Sequence, residues 1–197
     1  MAAVSILPTP GLVPVAAPRV AAAWEALRGV MDPEVPVISL VELGIVREVR
    51  ELHLSAADAH DAAAEPVLEV VLTPTYSGCP ATELIQQLVQ EALAPWGPVR
   101  ISLQRAPAWT TDWIDPQGLE KLRAYGIAPP GPARCGTAAA SAEQPLRFHR
   151  RASAAALACP RCGSHHTEQL SAFGSTACKA LHRCLSCLEP FEHFKPI

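Results

Sequence analysis

The segment from Cys159-Pro-Arg-Cys162 to Cys184-Leu-Ser-Cys187 decides the fold of the carboxyl-terminal part of this chain, and 21 residues separate its two Cys-x-x-Cys pairs. Paired cysteines at this spacing are typical of a four-thiolate metal site in a zinc ribbon. A segment this short buries too little apolar surface to fold alone, so a bound ion must supply much of its folding free energy. We therefore predict a zinc β-ribbon over residues 156–197 with Cys159, Cys162, Cys184 and Cys187 as metal ligands.

The identity of the ion is left open by the ligands themselves. Zinc is the usual ion for four thiolates, but an iron–sulfur cluster or iron uses the same ligand set. Two redox disulfides are the alternative without a metal. Cys178, six residues before Cys184, is either an additional metal ligand or a small buried strand residue.

The rest of the ribbon is predicted from local pattern. Gly163 suits the positive backbone angle that a cysteine knuckle needs. Strands are expected over Thr167–Phe173 and Cys178–Arg183, with an apolar face from Leu170, Phe173, Phe191 and Phe194. Because four cysteines complete a tetrahedral set, nearby histidines are expected at the surface or beside the ligands: His165, His166, His182 and His193.

The chain before the ribbon shows mixed helical and strand periodicity. Helices are predicted over 19–31, 80–94 and 116–125, and strands over 45–54, 67–73 and 98–105. The alanine-rich residues 55–66 are expected to form an enlarged hairpin loop. The pattern predicts an α+β domain over 19–128, a three-stranded sheet packed with helices, between a loose tail at 1–18 and an Ala/Pro-rich linker at 129–155.

Charge and composition exclude several classes of protein. The net charge of −3 and the 18% of charged residues argue against a nucleic-acid partner. No apolar run is long enough to span a bilayer, so no membrane partner is expected. The proline-interrupted start has no basic residue before Arg19, which argues against a secretory signal. We therefore expect a cytoplasmic protein whose seven cysteines are thiols.

One thiol lies at the start of a predicted helix. Pro80 suits the first helical position, which places Cys79 at or beside the N-cap, where unpaired N–H groups and the helix dipole favour a thiolate. Such a thiolate can attack an electrophile or hold a transferable metal. The alternative is a structural cysteine beneath a tight turn. Neighbouring hydroxyls would surround the sulfur: Thr73, Thr75, Tyr76 and Ser77.

An acidic pair follows the first predicted helix. Asp32 and Glu34 lie in the segment Asp32-Pro-Glu-Val-Pro36, where proline restricts the turn. Two carboxylates in such a turn can bind a cation or orient a partner. Asp before Pro is also an ordinary helix terminator.

Taken together, these motifs resemble one family. The segments Asp32-Pro-Glu-Val-Pro-Val-Ile-Ser-Leu and Thr73-Pro-Thr-Tyr-Ser-Gly-Cys-Pro resemble the SufT-like domain of iron–sulfur assembly proteins. With Phe173-Gly-Ser-Thr-Ala-Cys-Lys and the ending Glu189-Pro-Phe-Glu-His-Phe, the chain is similar to the PaaD (PaaJ) family. That family is encoded with the phenylacetyl-CoA epoxidase of aerobic phenylacetate breakdown.

The resemblance implies an accessory subunit that matures or maintains the iron or iron–sulfur centres of the epoxidase. By position, Asp32, Glu34 and Cys79 match the signature acidic pair and thiol of the SufT-like domain, with transient iron or a cluster expected at Cys79. The four paired cysteines match the family's metal ligands, and Cys178 also falls on a family motif. The expected partners are the oxygenase and reductase subunits, and a homodimer stays open.

Two other functions are compatible with the sequence. The chain could be a stoichiometric structural subunit of the oxygenase. It could also be an enzyme with Cys79 as nucleophile toward a CoA thioester, although no histidine is evidently placed to act as its base.

Overall fold

The computed structural model describes residues 18–52, 66–76, 78–131 and 157–196. The predicted tail at 1–17, most of the loop at 55–66 and the linker from 132 to 156 lie outside these residues. In the described helices there is none with the length and apolar character that a membrane span requires.

The described residues before the ribbon contain three α-helices: α1 (Pro18–Arg28), α2 (Thr82–Leu93) and α3 (Pro116–Tyr125). The limits of α3 are set locally. The Asp115 side chain caps the helix by accepting from the N–H of Gln117 at 2.8 Å, Pro116 occupies the first turn, and Gly126 ends it with φ of 98°.

The first sheet follows the predicted pattern. Among the described residues it contains β1 (Val46–Leu52), β2 (Val67–Leu72) and β3 (Val99–Leu103), in the order β1-β2-β3. β1 and β2 are antiparallel, whereas β2 and β3 are parallel and are connected through α2. The parallel pair needs a crossover connection, which the amphipathic helix α2 provides.

One face of this sheet is packed and the other carries a charged cluster. Leu68, Val70 and Leu72 of β2 are at most 1% exposed and belong to the main core with residues of α1 and α2. On the opposite face, Glu69 is buried and accepts hydrogen bonds from Arg50 at 2.7 Å and Ser102 at 2.6 Å. The fold class is therefore α+β, as predicted.

The ribbon forms most of a second sheet. One strand, β4 (Ile127–Ala128), comes from the chain before the linker, and the others are β5 (Thr167–Ser171), β6 (Lys179–Cys184) and β7 (Pro190–Phe194). Their described order is β4-β7-β6-β5, and β4 pairs in parallel with Glu192 and His193 of β7. Neither β7 nor β4 is among the predicted strands.

The ribbon and the α+β part share hydrophobic contacts. Phe194, the last residue of β7, is 1% exposed and belongs to the main core. Its ring centroid lies 6.0 Å from that of Trp109, whose indole N–H donates to the carbonyl oxygen of Leu43 at 2.9 Å. The ribbon is therefore docked on the domain that precedes it. The division into domains at residues 128 and 156 stays a prediction.

Several details of the predicted faces are wrong. In α2 the buried residues are Ile85, Val89 and Leu93, whereas Leu84 is 45% exposed because it lies on the outer side of the helix. In the ribbon, Leu170 and Phe173 are exposed, and the apolar side is formed by Phe191 and Phe194 of β7. Periodicity indicated the element in each case, but the packing partner decided which residues face it.

Candidate metal centre and thiol cleft

The four paired cysteines converge at one end of the ribbon. Their sulfur atoms all lie within 4.8 Å of one another. The Sγ atoms of Cys159 and Cys187 are 3.8 Å apart, and those of Cys162 and Cys184 are 3.6 Å apart. A tetrahedron with metal–sulfur bonds of roughly 2.3 Å has sulfur–sulfur edges of about 3.8 Å. The four thiols therefore fit a single tetrahedral ion.

Two similar backbone turns hold these sulfurs. In the first knuckle, Gly163 has φ of 74° and its N–H donates to the carbonyl oxygen of Cys159 at 2.8 Å. This confirms the positive backbone angle predicted for Gly163. In the second knuckle, Leu188 occupies the matching position with φ of 67°.

Backbone amides stabilise negative charge on the second pair. The N–H groups of Ser186 and Cys187 point at the sulfur of Cys184, at 3.4 Å and 3.5 Å. These hydrogen bonds, the one from Cys187 first, lower the pKa of Cys184 to about 6. A thiolate is the form that binds a metal, and four protein sulfurs complete a tetrahedral ion without a free position. The chemistry of this donor set is therefore structural.

A second group of predicted site residues lines a cleft between the α+β part and the ribbon. Asp32, Glu34, Thr75 and Cys79 come from the first, and Cys178 and Phe194 come from the second. Pro74 and Ile85 also line this thiol cleft. The sequence motifs thus meet in space although they are far apart along the chain.

Cys79 lies before the helix rather than at its cap. The helix α2 begins at Thr82 with Ala81 as N-cap, so the prediction that Pro80 occupies the first helical position is wrong. The Cys79 carbonyl oxygen accepts hydrogen bonds from the Thr82 N–H at 3.3 Å and hydroxyl at 2.8 Å. The turn between Tyr76 and Cys79, closed by a 3.1 Å hydrogen bond, sets the position of the thiol.

The acidic pair is held by a compact turn. Asp32 is 8% exposed, and its Oδ1 accepts from the N–H groups of Glu34 at 2.9 Å and Val35 at 2.8 Å. Burial raises the pKa of Asp32, while those two hydrogen bonds and the positive charge of Lys179 oppose the rise. The turn fixes the direction of one carboxylate into the cleft.

The electrostatics of Cys79 differ from the predicted thiolate. Burial raises the pKa of Cys79, and the negative charges of Glu34 and Asp32 raise it further, against an opposing hydrogen bond from the Ala81 N–H. The effect of the helix start is therefore smaller than the combined effect of burial and two carboxylates. A neutral thiol that loses its proton on binding a cation fits this environment better than a free nucleophile.

Cys178 is not one of the ribbon's metal ligands. It is outside the four-sulfur group and lines the thiol cleft, so its suggested role as an additional ligand of the ribbon ion is not supported. Its sulfur lies 3.0 Å from the hydroxyl of Thr176. Burial raises the pKa of the Cys178 thiol, and the charges of Asp32 and Glu34 contribute in the same direction. Both thiols therefore sense the same two carboxylates.

The hydroxyl residues near Cys79 are divided between core and surface. Thr73 is 2% exposed and its hydroxyl has no hydrogen-bond partner among the described residues. Thr75 lines the thiol cleft, whereas Tyr76 is 48% exposed. Ser77 is outside the described residues.

Two of the ribbon histidines are more buried than predicted. His182 is 8% exposed and stacks on Phe191 with a centroid distance of 5.7 Å. His193 meets the edge of His182 at 5.4 Å. Burial, and secondarily the charge of His182, lowers the pKa of His193 to about 4. The two rings pack in the ribbon and are not metal ligands.

Sequence reasoning missed Lys179 and Phe194 as residues of this region. Lys179 is 3% exposed, and its ammonium group pairs with Glu192 at 2.8 Å. The alternation of β6 marks Lys179 as an inward position next to Cys178, but pairing with Glu192 depends on β7. The aromatic ending of the chain was a signal for Phe194, without indicating where it packs.

Comparison with known proteins follows the same division. The family described as an iron–sulfur cluster assembly protein matches residues 21–102, and the PaaD zinc beta ribbon domain matches residues 143–195. Similar solved structures include a domain of unknown function, DUF59, from Bacillus anthracis, at 22% identity over 53% of this chain and 91% of that one, with a TM-score of 0.43.

A Mycobacterium tuberculosis protein associated with Fe–S complex assembly and repair is 31% identical over 60% of this chain and 98% of its own, with a TM-score of 0.33. A curated relative from Escherichia coli (strain K12), whose name assigns it to the 1,2-phenylacetyl-CoA epoxidase as one of its subunits, is 43% identical over 188 residues, which are 94% of this chain and 98% of the relative. The chain therefore belongs to the PaaD family of phenylacetyl-CoA epoxidase subunits, with an iron–sulfur assembly domain followed by a zinc ribbon domain.

Proposed function

We propose that this protein is an accessory subunit of a 1,2-phenylacetyl-CoA epoxidase that matures or maintains the iron or iron–sulfur centres of the enzyme. In this proposal the ribbon holds zinc as a structural ion, and the thiol cleft takes up iron as transient cargo. The partners are the oxygenase and reductase subunits of the epoxidase in the cytoplasm.

The observation that supports this proposal is the composition of the thiol cleft. A partly buried thiol, Cys79, stands with the carboxylates of Asp32 and Glu34 at a surface opening. Thiolate and carboxylate ligands together suit borderline divalent ions, and a partly exposed site allows loading and release. The closed four-cysteine site lacks that access, which separates a structural role from a transport role.

A thioester-cleaving enzyme fits the cleft less well. Its described lining includes no histidine, and the carboxylates beside Cys79 raise the pKa of the thiol. An activated cysteine nucleophile needs a base or a lowered pKa. The cleft therefore has the ligands for a cation but not the arrangement for acyl transfer.

The proposal is tested by producing the epoxidase subunits together with either the wild-type chain or the Cys79→Ser variant. We expect the variant to remain folded, with the same zinc content, and to yield oxygenase and reductase subunits with less iron. Cys135→Ser is the matched control, because it removes one thiol that belongs to neither proposed ligand set. Iron is measured on the purified epoxidase subunits by elemental analysis.

A fully iron-loaded, active epoxidase from cells that contain only the Cys79→Ser variant would contradict a maturation role. If that variant also copurified with the oxygenase in fixed stoichiometry, a structural subunit would be the better description. Gel filtration of the mixed subunits at micromolar concentration provides this second measurement.

A further inference from the structure

We infer that Cys178 of the ribbon is the second thiolate of the thiol cleft, so that one divalent ion binds between Cys79 and Cys178 with Asp32 and Glu34 as oxygen ligands. The inference assigns Cys178 to a site that only the docking of the two halves creates. The identity of the ion as iron cargo rests on the proposed function, but the two-thiolate site does not.

The first argument is convergence from distant parts of the chain. The four side chains come from the turn after α1, the turn before α2 and the turn before β6, and all four line the same cleft. The cavity volume is about 20 Å³, which is room for roughly one water molecule or one bare ion. Two thiols and two carboxylates around a space of that size are a ligand set for a single cation.

The second argument is burial of the groups involved. Asp32 is only 8% exposed, and two backbone N–H groups fix one of its oxygens. Burying a carboxylate costs free energy unless it is hydrogen-bonded or paired. Since burial raises the pKa of Asp32 despite those bonds and the charge of Lys179, the carboxyl is incompletely compensated. A bound cation would supply the missing compensation.

The third argument is that the ribbon fixes the position of Cys178. The Lys195 N–H donates to the carbonyl oxygen of Cys178 at 2.9 Å, and the Thr176 hydroxyl lies 3.0 Å from its sulfur. Lys195 directly follows Phe194, whose ring is anchored in the main core. The β7 ending therefore ties Cys178 to the α+β domain through a short chain of contacts.

The cleft is looser than the ribbon site. Of the described His, Cys, Asp and Glu side chains, only the four ribbon cysteines form a group of three or more whose ligand atoms lie within 4.8 Å of one another. The cleft ligands must therefore rotate inward to hold an ion. This reorganisation lowers the affinity of the cleft relative to that of the ribbon, as an exchangeable ion requires.

The experiment uses the full-length chain with its ribbon saturated with zinc, under anaerobic conditions, and Co²⁺ as the probe. Zinc binds such sites more tightly than cobalt, so cobalt does not displace it from the four cysteines. We expect one cobalt ion per chain beyond the zinc. Its thiolate-to-cobalt charge-transfer absorption, calibrated against two-thiolate and one-thiolate cobalt complexes, should correspond to two sulfurs.

The thiolates are then removed one at a time. Cys178→Ser should halve the charge-transfer absorption per bound cobalt and weaken cobalt binding by at least about tenfold. Cys79→Ser should give the same result, and Cys135→Ser should match the wild type. Unchanged zinc content in each variant shows that the ribbon is folded.

Each other result contradicts the inference in a distinct way. A wild-type chain that binds no additional cobalt, or binds it with the absorption of one thiolate, overturns the two-thiolate site without any substitution. Wild-type binding by Cys178→Ser overturns the role of Cys178. If Cys178→Ser loses its zinc, the absorption of the wild-type chain still decides the question.

The epoxidase iron measurement separates this inference from the proposed function. If Cys178→Ser binds cobalt normally while Cys79→Ser depletes epoxidase iron, the inference fails and the maturation role stands. If both variants lose the cobalt site but epoxidase iron is unaffected, the site exists and the maturation role fails.

Discussion

Leu188 and Gly163 occupy the same position in two similar cysteine knuckles, each just after a Cys-x-x-Cys pair. Both have positive φ, 67° for Leu188 and 74° for Gly163. This left-handed conformation costs a residue with a Cβ atom roughly 1–2 kcal/mol, whereas glycine adopts it freely. Leu188 is 70% exposed, so its side chain contributes little packing to offset that strain.

We therefore predict that Leu188→Gly stabilises the metal-loaded protein by about 0.5–1 kcal/mol, after the larger chain entropy of unfolded glycine is subtracted. Leu188→Ala is the matched control, because it removes the side chain but keeps the Cβ atom and the strain. The measurement is the denaturant midpoint of both variants with saturating zinc. Equal midpoints for the glycine and alanine variants would show that the strain is absent.

His193 gives the ribbon a dependence on acid. Its folded pKa, about 4, is below its ordinary value of 6.5 because burial disfavours the charged ring. Between these two values the unfolded state binds more protons than the folded state, so stability falls as the pH falls from 6.5 toward 4. A half-buried group is partly screened by solvent, so the loss is on the order of 1–2 kcal/mol.

His193→Gln should remove this contribution. We expect the difference in unfolding free energy between wild type and variant to change by about 1–2 kcal/mol between about pH 7 and pH 4.5. Ribbon cysteines also release metal in acid, and that effect is shared by both proteins. The difference between them isolates the histidine, and a constant difference across this pH range would contradict the prediction.

At the scale of elements, β7 connects the two halves of the molecule. It pairs with β6 on one side and β4 on the other, and its final ring contacts Trp109 in the main core. Phe173 lies in the turn after β5 with 63% of its surface exposed, beneath the ammonium group of Lys195. The same residue type thus serves two different environments within the ribbon.

Phe194→Ala should cost about 3–5 kcal/mol of folding free energy, the usual effect of removing a buried phenylalanine. Phe173→Ala, the matched control, should cost no more than about 0.5–1 kcal/mol. Chemical unfolding followed by tryptophan fluorescence measures both, since Trp109 reports on the contact. Similar losses for the two variants would contradict the docked position of β7.

At the scale of the whole molecule, the ribbon ion is expected to stabilise more than the ribbon. Removing the ion separates four sulfurs that hold the knuckles and the start of β7 together. Because Phe194 and the β4–β7 pairing belong to the shared interface, their loss should also expose the core around Trp109. The free energy of metal binding is then part of the folding free energy of the complete chain.

Chelation of the metal should therefore lower the melting temperature of the α+β domain as well as that of the ribbon. Hydrogen exchange at Ile127 and in the segment around Trp109 should increase when the metal is removed and return when zinc is restored. Exchange in β2 serves as the internal reference, because that strand belongs to the other sheet and does not pair with β7. A chelated protein with unchanged exchange at Ile127 would show that the two halves are independent.

The sequence by itself determined the α+β class, the ordering of α1 to α3 with β1 to β3, and the four ligands of the ribbon. These depend on local signals: hydrophobic period, helix caps such as Asp115, and Cys-x-x-Cys spacing. Such signals involve residues within a few positions of each other, so they survive without knowledge of the partner surface.

Only the tertiary structure decided the site of Cys178, the pKa direction of Cys79 and the burial of Phe194. Each depends on groups far away along the chain: Asp32 and Glu34 for the two thiols, and Trp109 for the ring. The helix-start argument for Cys79 failed because burial and two carboxylates outweigh the unpaired amides. Electrostatic and packing energies follow distance in space, which the order of residues along a chain does not contain.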